Sequence, residues 1–360
     1  MTWLMKSAGR LACLFGVGFL SGCDIPTDTP KLEQDWIFPL TETTVDVGQL
    51  LPPDVSLNQD STAFTVDMDP ISFQEDLGSL CEVCSGLDGS TVPKPGFTGT
   101  FHKNVFLPDD VESAQVQAGR VVVEARNNLS FDPLRPAGGE RGSLTLALRD
   151  GGPTGPVLRQ IVVHGEDTSF GPGTTLTLEL EYSGPVSPTL SATVTLDSPA
   201  GGLEPENWVL IDPDDGISVT LVPEVLEAAS AVIDVGGNVL DLGTTDLDVG
   251  NISQEMVDRV ASGSFELEIG NPWAAGGILR LTVTGPTMSD PVVLTASVPA
   301  TLTSTVEVDL TQAELQAFLG EPGVVAVGQG TVSQDAGSVT LTPGQVMTVD
   351  TGLHLIILIG

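Results

Sequence analysis

The chain has 360 residues, and its 48 Asp and Glu against 13 Lys and Arg give a net charge of −35 at neutral pH. Such a negative field repels nucleic acid and anionic headgroups, so neither is an expected partner. Val, Thr and Leu are abundant, and the 41 Gly and 26 Pro indicate frequent turns, so the composition favours strands over helices.

The first predicted element is a secretory signal over residues 1–22. Lys6 and Arg10 provide a basic flank, and an apolar run from Leu11 to Leu20 follows. This run is too short to span a bilayer core, which needs roughly 20 residues. Two small residues then lead to Cys23. A basic flank, a short apolar core and small residues before a cut site are typical of a secretory signal.

The segment Leu20-Ser21-Gly22-Cys23 resembles the lipobox of bacterial lipoproteins. In that family the peptidase cuts before the cysteine, whose thiol carries a diacylglycerol, and the new amine is usually acylated too. The resemblance implies that Cys23 carries lipid and anchors the chain to an inner or outer envelope membrane, because two or more acyl chains hold firmly. It covers the targeting segment alone. An ordinary signal peptide with an incidental cysteine is the alternative.

The next predicted segments are a polar, proline-bearing anchor and tether over residues 23–35 and a β-containing section over residues 36–105. That section contains Cys81-Glu82-Val83-Cys84. Outside the cytoplasm a close cysteine pair usually oxidises, so we predict a disulfide between Cys81 and Cys84. A redox motif and a zinc site are the alternatives. The first lacks an accompanying βαβ pattern and the second lacks two further ligands.

A period-two alternation of apolar residues becomes clear from about residue 106. Leu144, Leu146 and Leu148 share one face, and the segments around residues 176–182 and 190–196 repeat the pattern. Strands with one dry face pair those faces across two sheets. The sequence therefore predicts an all-β chain of tandem antiparallel β-sandwich domains, residues 106–222 and 223–360, with two short helices.

The pattern recurs along the chain. The segment VQAGRVVVEARNN from Val116 matches VASGSFELEIGNP from Val260 at a constant offset of 144 residues. We interpret this as a duplicated β domain, although generic strand-turn composition also produces such matches. The strand ending in Asn271-Pro272 resembles the LEA14/WHy family of β-sandwiches. That resemblance implies an apolar interior that handles lipid-like ligands or cushions other proteins, but the first copy departs from it with Asn127-Asn128.

Two short helices are predicted in the second domain. Thr311 and Glu314 form a capping box at the start of one helix. Residues 253–261 have a weaker pattern of the same kind and are predicted as the second helix. Each apolar stripe is expected to pack on its own domain, and binding of a partner is the alternative. The apolar run Leu353 to Ile359 predicts a central strand buried on both faces, with a partner-docking edge strand as the alternative.

The sequence offers little catalytic or metal-binding chemistry. His102, His164 and His354 lie in no recognisable motif and are assigned structural roles. The acidic segment from Asp212 to Asp215 predicts an Asx-type turn between two strands. A calcium site formed by Asp212, Asp214 and Asp215 is the alternative, although the longer EF-hand pattern is absent.

The predicted function is that of a lipid-anchored envelope protein with a non-enzymatic structural or binding ectodomain. No cofactor is predicted other than the covalent lipid, and the expected partners are the membrane and an envelope protein or apolar ligand. A carrier of hydrophobic ligands is the first alternative, and it requires an apolar cavity of ligand size. A hydrolase using acidic residues is the second, and it requires convergent, partly desolvated carboxylates.

Overall fold

The computed structural model describes residues 32–40, 42–137 and 139–359. Antiparallel strands dominate these residues, and three short α-helices interrupt them. The earlier strands are β1 (Leu32–Pro39), β2 (Thr43–Asp46), β3 (Val55–Leu57), β4 (Phe64–Val66), β5 (Ile71–Asp76), β6 (Thr91–Pro93), β7 (Phe97–Phe106), β8 (Val111–Asn127), β9 (Ser143–Asp150), β10 (Val157–His164) and β11 (Thr175–Val186). The later strands are β12 (Thr189–Ser198), β13 (Trp208–Leu210), β14 (Gly216–Asp234), β15 (Val239–Leu247), β16 (Val260–Gly270), β17 (Gly277–Thr284), β18 (Val292–Val298), β19 (Thr303–Leu310), β20 (Val324–Val332), β21 (Ser338–Leu341) and β22 (Val346–Ile359). The helices are α1 (Leu77–Leu80), α2 (Gln254–Val257) and α3 (Gln312–Phe318).

Alternation of apolar and polar residues explains why these segments are strands. In β12, Leu190, Ala192 and Val194 are buried between the sheets, while Ser191 and Thr193 point to the opposite face. Successive side chains of a strand point to opposite faces, so each strand offers one apolar face to the core. The prediction of an all-β fold is confirmed.

Two sandwiches of the same topology make up the fold. In the first, one sheet has the order β5-β14-β8-β11 and the other β7-β12-β9-β10. In the second, the orders are β2-β22-β16-β19 and β15-β20-β17-β18. Numbering the eight strands of each sandwich along the chain gives 1-8-3-6 facing 2-7-4-5, the arrangement of a double-sheet jelly roll. The prediction of tandem antiparallel β-sandwiches is confirmed.

The matching segments of the two halves lie in equivalent strands. β8 contains the segment from Val116 and β16 the segment from Val260, and each is the third strand of its sandwich. Each is paired on one side with the last strand and on the other with the sixth strand. The offset of 144 residues therefore aligns positions that have the same place in the fold.

Long strands join the two sandwiches. β14 pairs with β5 through its first residues, and its last residues, Ala231 to Asp234, pair with β21, which lies between β20 and β22 in the chain. A continuous cluster of buried apolar side chains also extends from Leu148 and Leu190 of the first sandwich into the interior of the second. The predicted domain boundary between residues 222 and 223 falls inside β14, because this strand pairs with elements of both halves.

The strands within residues 36–105, predicted as a β-containing amino-terminal section, belong to the two sandwiches. β1 and β2 pair with β22 of the second sandwich, whereas β5 and β7 belong to the sheets of the first. The predicted tether over residues 23–35 also overlaps β1, which begins at Leu32. β1 is ordered as a strand because Trp36 and Phe38 pack on the core while its backbone pairs with β22.

The two predicted helices are present. In α3, the Thr311 side chain accepts a hydrogen bond from the Glu314 backbone and the Glu314 side chain accepts one from the Thr311 backbone, as the capping box predicts. Leu315 and Phe318 are buried against their own sandwich. α2 is a single turn within residues 253–261, and α1, beside the cysteine pair, is a further short helix that the sequence pattern did not predict.

β22 is the predicted central strand, since it pairs with β1 and β2 on one side and with β16 on the other. Its burial differs from the prediction. Leu353, Leu355 and Ile357 are buried, but His354 and Ile356 are partly exposed. A sandwich has only two layers, so the outer face of a central strand faces solvent even where its residues are aliphatic.

Candidate functional site

Cys23, the predicted site of lipid attachment, lies outside the described residues, as does the signal segment 1–22. The first described residue, Leu32, is nine positions after Cys23 and is paired with Ile359. No helix in the described part of the chain is long and apolar enough to cross a membrane. In the sequence, residues 24–31 separate Cys23 from Leu32.

The cysteine pair lies in the core of the first sandwich. The sulfur atoms of Cys81 and Cys84 are 2.00 Å apart, as in a disulfide bond, and both side chains are buried. The pair connects α1 to the turn that follows it. No group of three His, Cys, Asp or Glu side chains that could hold a metal ion was found among the described residues. This location fits a structural crosslink better than an exposed redox centre.

The acidic segment before β14 forms the predicted turn. Asp212 Oδ1 accepts a hydrogen bond from the Asp214 backbone at 3.1 Å, which is the pattern of an Asx turn. The Asp215 backbone N–H also bonds to the Asp212 carbonyl at 3.2 Å. Burial raises the pKa of the Asp215 carboxyl, and the neighbouring Asp212 and Asp214 raise it further. Residues 212–215 therefore form an Asx turn that carries three carboxylates.

Carboxylates also meet on the outer face of the sheet β2-β22-β16-β19. Glu268 of β16 lies opposite Asp350 of β22, and both line a groove of about 540 Å³ whose other walls carry threonines and a serine. On the same face, His354 Nε2 is 2.8 Å from Glu266 Oε2. Asp215, whose pKa is raised, belongs to the turn before β14 and not to this groove.

The interiors of the sandwiches are filled. Apolar cavities between the sheets measure about 40 and 30 Å³ in the second sandwich and about 20 Å³ in the first. Such volumes hold from one to a few water molecules. The carrier hypothesis requires an apolar cavity of ligand size, and around these small cavities interdigitated Leu, Val and Ile side chains occupy the space between the sheets.

A larger cleft of about 630 Å³ opens on the side of the first sandwich, between β8, β10 and β11. Its floor is the ring of Tyr182, which lies on Gly119, and burial raises the pKa of Tyr182 to about 12. At its wall, Arg120 Nη2 is 3.0 Å from Glu179. Arg120 Nε is 3.1 Å from Glu224, close enough for an ion pair but not aligned as a hydrogen bond. Two carboxylates thus already neutralise the arginine of this cleft.

Lys94 is a buried cation that the sequence analysis missed. Its Nζ donates to Ser198 Oγ at 2.8 Å and to the Pro199 carbonyl, and it lies 5.7 Å from the centre of the Phe131 ring. Burial lowers the pKa of Lys94 to about 8, although nearby aspartates act to raise it. The side chain fastens the loop before β7 to the end of β12.

The outer face of the sheet β7-β12-β9-β10 carries rows of hydroxyl side chains that run across the strands. Thr195 of β12 lies opposite Thr100 of β7, with 3.0 Å between the two hydroxyl oxygens. In the following row, Thr98 Oγ1 donates to Asp197 Oδ1 at 2.8 Å. These two rows satisfy their own hydrogen bonds, as side chains on a sheet surface usually do.

The two preceding rows differ. Ser191 lies between Asn104 of β7 and Arg149 of β9, and Thr193 follows on the same face. Four buried atoms here have no hydrogen-bond partner, namely Asn104 Oδ1, Arg149 Nε, Ser191 Oγ and Thr193 Oγ1. They are four of seven such atoms among the described residues, so the deficit is concentrated in one place. We call these four residues the unpaired polar cluster.

Burial makes the unpaired polar cluster energetically unusual. Ser191 is 0% exposed and Thr193 is 7% exposed, although both point to the outer face of their sheet. A buried polar group without a partner costs about 1–3 kcal/mol. A bordering aromatic ring, Phe106, lies two residues after Asn104 on the same face of β7 and is 64% exposed. Sequence reasoning missed this cluster because its members come from three strands.

Comparisons with known proteins find solved structures of low similarity and no family. No family model and no curated protein matches the chain. One similar solved structure is a protein from Parabacteroides distasonis that is described as secreted. It has a TM-score of 0.35 and 12% identity, and the match covers 89% of this chain and 99% of that one. The tandem CBM22 domains of Paenibacillus barcinonensis Xyn10C have a TM-score of 0.19 and 10% identity, covering 79% and 97%. Both scores are below 0.5 and carry no conclusion about function.

Proposed function

We propose that this chain is a lipid-anchored, non-enzymatic ectodomain that displays a binding surface at the bacterial cell envelope. The observation that carries the proposal is the segment Leu20-Ser21-Gly22-Cys23, placed nine residues before a strand that is built into the second sandwich. Lipid on Cys23 would hold the protein at a membrane, and cleavage before that residue would remove the signal segment.

The short connection supports a closely held ectodomain. Nine residue steps separate Cys23 from Leu32, and a fully extended chain spans at most about 3.3–3.6 Å per residue, so the second sandwich stays within roughly 30 Å of the anchored residue. The negative charge of the chain opposes adhesion to anionic headgroups at this distance. The joined sandwiches then project the first sandwich as part of one body, because β14 and β21 pair across the junction.

Replacement of Cys23 tests the anchor. In cells labelled with a fatty acid, the wild-type chain should carry label and sediment with membranes, whereas Cys23→Ala should lose the label and leave the membrane fraction. Cys13→Ala is the matched control, since Cys13 belongs to the predicted signal and its replacement should leave labelling unchanged. Membrane retention and labelling of Cys23→Ala at the wild-type level would contradict the proposal.

A further inference from the structure

We propose that the unpaired polar cluster on the outer face of the sheet β7-β12-β9-β10 is a binding site for a neutral glycan. This inference deepens the proposed function, because it names the class of ligand that the displayed surface would bind. The starting observation is that four buried polar atoms from three adjacent strands lack partners in one place. Polar groups left unpaired together in this way are ready to bond a ligand.

The chemistry of the cluster fits a ligand rich in hydroxyl groups. Arg149 Nε can only donate a hydrogen bond, Asn104 Oδ1 can only accept one, and the Ser191 and Thr193 hydroxyls can do both. A sugar hydroxyl likewise donates and accepts, so adjacent hydroxyls of one ring can satisfy this mixed set. A ligand that only accepts would leave the Asn104 oxygen unpaired.

An exposed aromatic ring adds the second element of sugar recognition. Phe106 lies on the same face as Asn104, at the edge of the cluster, and its ring is largely exposed. The ring offers an apolar surface against which the C–H face of a sugar can pack, while the hydroxyl edge turns to the polar atoms. This pairing of an aromatic surface with a few convergent polar groups is common in small-molecule sites.

The net charge of the chain and the pairing of its strands restrict the class of ligand further. The net charge of −35 opposes approach of an acidic polysaccharide, so a neutral glycan is favoured. A peptide added as a strand would pair with the free edge of β7, whereas Ser191 and Thr193 lie one strand further in, on β12, whose backbone is paired with β7 and β9 on both sides. A ligand of these two hydroxyls is therefore recognised through side chains.

A ligand can reach the buried hydroxyls only if a neighbouring side chain moves. Ser191 is covered, whereas its cross-strand neighbours Asn104 and Arg149 are partly exposed. The Arg149 guanidinium is held by a hydrogen bond from Nη1 to the Gly155 carbonyl at 2.9 Å, in the hairpin between β9 and β10. The proposal requires the Arg149 side chain to leave this hydrogen bond so that Nε can meet the ligand.

Binding to defined glycans tests the inference. The full mature chain, purified in detergent, is applied to an array of immobilised neutral glucans, xylans and mannans. Pectin and alginate are included as acidic polysaccharides for comparison. We expect binding to at least one neutral glycan. The double variant Ser191→Ala with Thr193→Val should weaken that binding at least tenfold, and Phe106→Ala should do the same.

A matched control separates recognition from folding. Thr195→Val alters a hydroxyl on the same strand and face that already has a partner in Thr100, so it should bind the glycan as the wild type does. The double variant should melt no lower than the wild type, since it removes unpaired polar groups. Binding to no neutral glycan, binding to acidic glycans alone, or unchanged binding by the Ser191→Ala and Thr193→Val double variant would overturn the inference. None of these outcomes depends on whether Cys23 carries lipid.

Discussion

Asn127 and Asn271, 144 residues apart, close the same turn in the two sandwiches. Each Nδ2 donates to the main-chain carbonyl four residues ahead, at 2.9 Å to Phe131 and 2.9 Å to Ala275. Each Oδ1 accepts the main-chain N–H two residues ahead, at 2.8 and 3.3 Å. The Asn127 Nδ2 also donates to the Phe170 carbonyl at 2.6 Å. Both side chains are buried, so these bonds replace the solvent that the turn would otherwise need.

Removal of these amides should destabilise both sandwiches, and the first more. Asn127→Ala loses three hydrogen bonds and should lower the free energy of unfolding by about 3 kcal/mol, whereas Asn271→Ala loses two and should cost about 2 kcal/mol. Urea denaturation measures both values. The neighbouring Asn128 is exposed, and Asn128→Ala should change stability by less than about 0.5 kcal/mol. Equal and small effects of all three variants would contradict this account.

Gly119 should be intolerant of a side chain because of Tyr182. A Cβ at Gly119 would lie 2.6 Å from Cε1 and Cζ of the tyrosine ring, so Gly119→Ala must displace the ring and should cost about 1–3 kcal/mol. Tyr182→Ala should remove most of that penalty when combined with Gly119→Ala, and a double-mutant cycle measures the coupling. Gly86→Ala is the control, since no atom lies within 4 Å of its added Cβ. Additive effects in the cycle would show that the ring is not the cause.

The packing of β1 predicts unequal effects at two adjacent residues. Trp36 packs against the core of the second sandwich, and Trp36→Ala should lower the free energy of unfolding by about 2 kcal/mol. Ile37 points to the opposite face and is 62% exposed, so Ile37→Ala should cost less than about 0.5 kcal/mol. Thermal and chemical denaturation provide the comparison. If both variants were neutral, β1 would not be part of the folded sandwich.

Lys94 predicts a rise of stability with pH above neutrality. Burial lowers its folded pKa to about 8, below the value of 10.5 in the unfolded chain, so the unfolded chain binds more protons between these values. Stability should therefore increase from pH 8 to pH 10, by about 1–3 kcal/mol, and Lys94→Met should abolish the increase. Lys103→Met, at an exposed lysine, should keep it. The tyrosine of the unfolded chain, with an ordinary pKa of about 10, begins to ionise at the top of this range, but it does so in wild type and in Lys94→Met alike, so the difference between the two profiles reports Lys94. An identical pH profile for wild type and Lys94→Met would refute the assignment.

Local patterns carried much of the fold prediction. Alternation of apolar residues identified the strands, the Thr311 and Glu314 pair identified α3, and the match at Val116 and Val260 aligned equivalent strands. Each of these signals can be read in segments of about a dozen residues, and along a strand the side-chain periodicity determines which face is buried.

Long-range pairing accounts for what the sequence did not reveal. Nothing in residues 32–39 indicates that their partner is β22, and Asn104, Arg149 and Ser191 are separated by more than 40 residues each. Their meeting depends on the register of three strands, which a single sequence does not specify when several strands have similar apolar patterns. By contrast, the turn at Asp212 to Asp215 was predicted correctly, because an Asx turn depends only on residues that are neighbours in the sequence.

The pairing of Leu32 with Ile359 sets an order of events for folding during synthesis. These partners are separated by 327 positions, so β1 is synthesised first and has no partner until β22 follows, hundreds of residues later. Until residues 346–359 have been synthesised, the second jelly roll cannot close, and its exposed aliphatic strands need protection from aggregation during that interval.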